Sequence, residues 1–230
     1  MRILTLLTFF ALAYSSTQAQ FFVQKLPQSE ILNSEKAYVI TNAGDTIRGR
    51  ISGASQSNGQ LKAFTLKTDE EKLKFKPMEI RSVAVVPGMG ANYEDMALIT
   101  TIKRASDTTF LKLVETEWVI FERIQLPTKR ESYALVQLVN PGFDSKIKVY
   151  ANPEANETST LSSESMMLTG GDDTSHFISV NGERPTLIKK GKYKKEGFAQ
   201  LFGGCDALND EEPKWKYFAK HIFIYDQKCE

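Results

Sequence analysis

The most constraining feature of this chain is a series of short segments in which apolar and polar residues alternate. Residues 46–51 show the pattern, because Ile47 and Ile51 fall on one face while the two arginines between them fall on the other. A period of two is that of a half-buried β-strand. The Asn-Ala-Gly-Asp turn at 42–45 lies between this strand and another apolar run, so the sequence predicts a β-hairpin here.

The same pattern recurs through most of the chain, with turn residues between the segments. Strands are predicted near residues 38–41, 46–51, 62–67, 72–76, 80–86, 110–114, 117–122, 133–139, 146–150, 176–180 and 185–188. A break is predicted at 52–59, and Asn181-Gly182 is the strongest hairpin signal. Strands this short and closely punctuated favour an antiparallel sandwich, an open barrel or a rolled sheet.

Beyond residue 189 the apolar spacing changes from that of a strand to that of a helix. Phe198 and Phe202 stand four residues apart and precede two glycines, which commonly end helices. A second helix is predicted after Pro213, a residue type favoured in a first turn. We expect its apolar stripe to pack against the sheet, and the stripe consists of Trp215, Phe218, Ile222 and Tyr225. The predicted fold class is α+β, mainly β, with two C-terminal helices.

A single mature domain, residues 20–230, is predicted. It comprises a β-rich body at 37–188 and a helical C-terminal unit at 189–230. Residues 151–175 interrupt the body, because they contain five acidic residues and no lysine or arginine. Their richness in Ser, Thr, Asn and Gly predicts a long, mobile acidic loop.

The first 19 residues have the layout of a secretory signal peptide. Arg2 precedes an apolar run at 3–14, and small residues follow up to Ala19. The run is shorter than the about 20 residues that a membrane-spanning helix needs. We therefore expect cleavage after Ala19 and export to the periplasm or the medium. Because no cysteine precedes Cys205, we expect no lipoprotein anchor, and no transmembrane segment is predicted.

Charge is balanced over the whole chain and concentrated at one place. With 29 basic and 28 acidic residues, nothing favours nucleic acid as a partner. Five lysines nevertheless surround Tyr193, namely Lys189, Lys190, Lys192, Lys194 and Lys195. A solvated helix start explains them, and the alternative is a binding site for an anionic cell-envelope glycan or a lipid head group. A protein partner is a further candidate.

The two cysteines allow two interpretations. Cys205 and Cys229 lie 24 positions apart and are the only cysteines in the chain. In an exported protein an even number of cysteines predicts a disulfide. Alternatively, a Cys205 thiolate activated by His176 or His221 would serve a hydrolase or transferase. Both interpretations stay open on the sequence alone.

Metal and cofactor chemistry has little support in the sequence. The chain has two histidines and no HExxH, paired CxxC or EF-hand pattern. The nearest candidate ligand set is Asp172, Asp173 and His176, in a polar stretch where solvation is sufficient explanation. No glycine-rich phosphate loop or Gly-x-Ser-x-Gly elbow occurs, so we predict no cofactor.

Three landmarks together resemble an uncharacterised family of exported proteins from Bacteroidota-type bacteria. They are the opening hairpin at 38–49 (YVITNAGDTIRG), the step at 75–80 (FKPMEI) and the C-terminal segment that carries Cys205-Asp206 and ends at Cys229. The resemblance implies an exported location and a β-rich body with a helical close. It implies no activity, so no catalytic residue follows from it.

Two functional hypotheses follow from the sequence. The first is a non-catalytic exported module of the periplasm or cell surface that binds a ligand or a partner protein. It rests on the signal-like segment, the β-rich pattern and the lack of an assembled catalytic set. The competing hypothesis is the cysteine-dependent hydrolase or transferase built on Cys205.

Overall fold

Six antiparallel strands close into a barrel in the computed structural model. The structure describes residues 22–23, 26, 31–32, 34, 36–57, 60–86, 118–128, 131–152, 155 and 175–229. The strands of the larger sheet are β1 (Lys36–Thr41), β2 (Thr46–Ser57), β3 (Gln60–Lys67), β4 (Lys72–Phe75), β5 (Ile80–Val86), β6 (Val119–Gln125) and β7 (Tyr133–Gln137). Their order is β2-β1-β5-β6-β7-β3-β4, and β2 also pairs with β3, which completes the closure. The short strand β4 adds to β3 at the edge.

The barrel interior is filled by the inward residues that the alternation predicts. Val39, Leu66 and Ile80 are fully buried there, together with residues from every strand of the barrel. Burial of such apolar side chains stabilises a fold by about 25 cal/mol for each Å² removed from water. The closed barrel thus has a core of its own.

Strand β2 is longer than the sequence predicts, because it continues through the break placed at 52–59. Its pairing with β3 shifts register between Ile51 and Gly53 and again between Ser55 and Gln56. Such bulges bend a strand and increase its twist. The turn-like composition of this stretch therefore produces curvature within a strand, and the curvature suits a closed barrel.

A second, three-stranded sheet packs on the outside of the barrel. It contains β8 (Ile147–Ala151), β9 (Ser175–Val180) and β10 (Thr186–Lys189) in the order β10-β9-β8. Tyr150 and Phe177 from one face join a cluster with residues of the barrel wall, whereas Val149 and Ile178 from the other face lie under the C-terminal helices. The molecule therefore has three layers: barrel, small sheet and helices.

The connection from the barrel to the small sheet depends on the buried side-chain amide of Asn140. Leu138 pairs with Tyr150 in an isolated bridge, so β7 and β8 meet only briefly before they diverge. Asn140 is fully buried in the turn, and its Nδ2 donates to the carbonyls of Phe143 and Ile147 at 2.6 and 2.8 Å. Its Oδ1 accepts from the Val149 amide at 2.7 Å. One side chain thus satisfies the backbone groups that the diverging strands leave open.

The helical unit follows β10 without a loop. The first helix runs through α1 (Lys190–Lys192), a π-helical segment (Tyr193–Gly197) and α2 (Phe198–Phe202). Short 3-10 turns lead to α3 (Phe218–Lys228). Phe218 and Ile222 of the predicted stripe are buried against the small sheet. Among the described residues, no helix combines the length and the apolar character needed to cross a membrane.

The predicted fold class is confirmed as mainly β, with two C-terminal helices. Of the barrel, sandwich and rolled-sheet alternatives, the structure has a barrel, and it is closed rather than open. Both predicted hairpin turns form: Asn181 and Gly182 have φ angles of 49° and 77°, the left-handed region that an Asn-Gly hairpin turn requires. Residues 1–19, the strand predicted at 110–114 and nearly all of 151–175 lie outside the described residues.

Candidate ligand-binding groove

A groove of about 270 Å³ lies between the edge strand β10 and the helix that follows it. One wall is the strand itself, and the other is a single helical face on which residues recur every four positions. The groove is lined by Leu187, Ile188, Lys189, Lys192, Glu196, Gly197 and Gln200. The structure therefore places two lysines of the five-lysine cluster, Lys189 and Lys192, in a common cleft.

The groove reaches the edge of β10 along which no strand pairs in the part of the chain that the structure describes. Successive side chains of a strand point to opposite faces, so Leu187 and Ile188 face opposite ways. Ile188 is buried under the helix, Leu187 is 38% exposed, and both line the groove. The cleft must therefore include the edge of the strand as well as one of its faces.

A π-helical segment forms the part of the helix nearest the strand. Segments of this type are rare and frequently occur at functional sites. Gly197 ends the segment, and a Cβ placed there would lie 3.2 Å from Ile188 Cγ2 and 3.3 Å from Tyr193 Cδ2. The missing side chain thus allows the helix to approach β10 closely.

The lysines give the rim of the groove a positive charge. Lys189, Lys192, Lys194 and Lys195 are exposed, and Lys190 is half-buried. Lys192 Nζ lies 3.7 Å from Glu196 Oε2, with side chains 70% and 65% exposed. An exposed pair of this kind contributes little, so the pair does not remove Lys192 from reach of an anionic ligand.

A buried hydrogen bond fixes the helix behind the groove. Tyr193 and His221 are both fully buried, and Tyr193 Oη lies 2.6 Å from His221 Nδ1. Burial lowers the pKa of His221 to about 4, against an opposing effect of Glu211, so the ring is neutral at pH 7. Glu211 Oε2 faces Nε2 at 3.9 Å, which favours the proton on Nε2. Nδ1 then accepts from the Tyr193 hydroxyl, whose own pKa burial raises.

Both histidines named as candidates sit in an aromatic cluster. The His176 ring stacks on Trp215 and Phe218 at centroid distances of 5.9 and 5.7 Å. The His221 ring contacts Phe198 and Phe202 edge-on at 5.0 and 6.1 Å. In this structure the two imidazoles contribute packing between the small sheet and the helices.

The predicted disulfide between Cys205 and Cys229 is confirmed. The two Cα atoms lie 5.4 Å apart, and both residues are buried. Because each sulfur is bonded to the other, Cys205 carries no thiolate in this form of the protein. The cysteine-dependent activity stays a prediction, and it would require reduction of this bond first.

Metal ligands are not grouped in the part of the chain that the structure describes. No three His, Cys, Asp or Glu side chains there come close enough to hold an ion. Of the candidate set, His176 lies in β9, whereas Asp172 and Asp173 lie outside the described residues.

A second polar cluster joins two of the landmarks that carry the family resemblance. Asn42, in the first hairpin turn, donates to the Met78 carbonyl at 2.7 Å. Arg123 donates to Asn42 Oδ1 at 2.9 Å, and Arg81 donates to the Asn42 carbonyl at 2.8 Å. These contacts connect the first hairpin turn to the 75–80 step.

Of the residues that line the groove, the sequence identifies only the lysines. It does not predict the other lining residues, which are Leu187, Ile188, Glu196, Gly197 and Gln200. Residues 192, 196 and 200 are spaced four apart, so the sequence does indicate that they share one helical face. Which part of β10 this helical face approaches depends on the tertiary packing, and the sequence does not show it.

Comparisons of the chain with protein-family models, characterised proteins and solved structures identify no match. The resemblance to an exported Bacteroidota-type family therefore stays a prediction.

Proposed function

We propose that this protein is an exported, non-catalytic binding protein and that the groove beside β10 is its ligand-binding site. The observation that carries the proposal is the position of Lys189 and Lys192 on the two walls of one cleft. The ligand is anionic, because these lysines and their neighbours make the rim positive.

The floor and the rim of the groove suit different parts of one ligand. Leu187 and Ile188 offer apolar surface, and Gln200 offers an amide that can donate and accept. Binding sites in general combine apolar walls with a few polar groups that fix orientation. A ligand with anionic groups on a partly apolar framework therefore fits this cleft better than a simple inorganic anion.

Export is supported by two independent features. The first 19 residues have the layout of a signal peptide, and the Cys205–Cys229 disulfide is of a kind that persists in oxidising compartments. An exported anion-binding protein would meet envelope glycans, lipid head groups and secreted proteins.

Charge reversal within the groove is expected to weaken binding of anionic probes by at least about tenfold. The probes are fluorescent heparin, poly-L-glutamate and vesicles that contain phosphatidylglycerol, each titrated at low salt because exposed charges are screened over about 10 Å at 0.1 M. The variant carries Lys189→Glu and Lys192→Glu, which replace two attractions by two repulsions.

The matched control carries Lys72→Glu and Lys74→Glu on β4. These lysines are also exposed on a four-residue edge strand, and the double change alters the net charge equally. We expect this control to bind within about twofold of the parent protein. Equal losses in both variants would mean that net charge alone governs binding, and no binding to any probe would refute the proposed function.

A further inference from the structure

We infer that the ligand of the groove is an extended acidic peptide segment that adds to β10 as a further strand. The inference rests on the proposed function and specifies its ligand class. It is carried by the edge of β10 that no other described strand pairs with, the position of the groove along that edge and the charge of the rim.

The edge of β10 offers backbone hydrogen-bonding groups. Within the described residues β10 pairs only with β9, through the register that runs from Thr186↔Ile178 to Lys189↔Ser175. In an antiparallel pair, alternate residues direct their amide and carbonyl groups away from the partner strand. An unpaired edge of this kind is a template for another extended chain.

The groove lies where such a chain would pass. Because Leu187 and Ile188 line it from opposite faces of β10, an added strand would lie between β10 and the helical face of residues 192, 196 and 200. Strands in a sheet are about 4.8 Å apart. One set of alternate side chains of the peptide would then face the helix, and the other set would lie beside Leu187.

Charge complementarity sets the composition of the peptide. The helix side of the groove carries Lys192 and Glu196, whereas Lys189, two residues after Leu187, lies on the Leu187 side, with Lys194 and Lys195 exposed nearby. Acidic side chains at every second position would lie on the side of Leu187 and Lys189, while apolar ones would lie beside Ile188. A head group or a glycan would use the lysines but would leave the peptide groups of the β10 edge bonded to water.

Backbone methylation separates strand addition from charge attraction. The probe is an eight-residue fluorescent peptide that alternates Glu and Val, and its affinity is compared with two versions N-methylated at alternate residues. In one version the methyl groups occupy the amides that would bond to β10, and in the other they face away. The peptide is taken to add antiparallel, as both strand pairs of this sheet do, and a shift by one residue exchanges the two side-chain faces, so the Glu-Val pattern fixes which amides face the strand.

We expect one methylated version to lose at least about tenfold in affinity and the other to bind within about twofold of the unmethylated peptide. Binding of the unmethylated peptide should weaken in the Lys189→Glu, Lys192→Glu variant. The Lys72→Glu, Lys74→Glu control should bind all three peptides like the parent protein. Equal affinity of both methylated versions would overturn strand addition. If heparin or vesicles bind in a lysine-dependent way while no peptide binds, the peptide class is wrong and the proposed function stands. If no probe binds, the proposed function fails as well.

Discussion

Replacement of Phe218 by Ala is expected to lower the free energy of unfolding by about 3–5 kcal/mol. The ring is 3% exposed and stacks on Trp215 at a centroid distance of 4.5 Å, with Tyr193 edge-on at 5.1 Å. Its removal leaves a cavity between the small sheet and α3, and the rings around it are held in place by other contacts. Equilibrium unfolding in urea, followed by circular dichroism, measures the change.

Lys216→Ala is the matched control for this substitution. Lys216 precedes Phe218 by two residues, its side chain is exposed, and its main contact is with the Tyr217 ring, 4.5 Å from Nζ. We expect a change below about 0.5 kcal/mol. If both variants lost equally little stability, the apolar stripe of α3 would not be packed as described, and the three-layer arrangement would be wrong.

Removal of the disulfide is expected to destabilise the protein by about 3 kcal/mol, because Cys205 and Cys229 close a loop of 24 positions in the unfolded chain. For a protein of this size the loss corresponds to a decrease in Tm of roughly 6–12 °C. The bond pins the end of the first helix to the end of α3. A Cys205→Ala, Cys229→Ala double variant makes the measurement independent of how accessible the buried bond is to reductant.

The strand signal in circular dichroism should persist in the double variant at 25 °C. The barrel has a separate core, to which none of the described residues of the helical unit contributes, so loosening of the helices leaves it intact. Asp226 also holds α3, because its Oδ1 accepts from the Ser145 hydroxyl at 3.0 Å and from the Lys146 amide at 2.8 Å. An unchanged Tm, or loss of the strand signal, would contradict this division of the structure. Added reductant should have no effect on the double variant.

Strands and their turns could be predicted from the sequence because they depend on local patterns. The alternation in residues 46–51 indicates an extended strand, and Asn181-Gly182 indicates a tight turn, each from a few adjacent residues. Closure of the barrel could not be predicted in this way. It depends on bulges in β2 and on a single pair between β3 and β7, Leu61↔Leu135, and contacts so distant along the chain leave no local pattern.

The groove shows the same limit. The lysine cluster was visible as composition, but composition does not distinguish a solvated helix start from one wall of a cleft. The distinction depends on Gly197, whose missing Cβ lets the helix approach Ile188. It also depends on Tyr193, which the sequence places among lysines and the structure buries against His221. The close approach at Gly197 and the burial of Tyr193 both result from tertiary packing, and the presence of a glycine or a tyrosine alone predicts neither.

Amide chemical-shift mapping tests the central claim, that the groove beside β10 is the ligand-binding site, most directly. Uniformly ¹⁵N-labelled protein with its disulfide intact is titrated with poly-L-glutamate at low salt. The structure predicts that the largest shifts fall within residues 186–200, with Lys189, Lys192 and Gly197 among them, and that the amides of β4 move little. Shifts that are equally large around Lys72 and Lys74, or that are absent from residues 186–200, would contradict the assignment of the groove as the site.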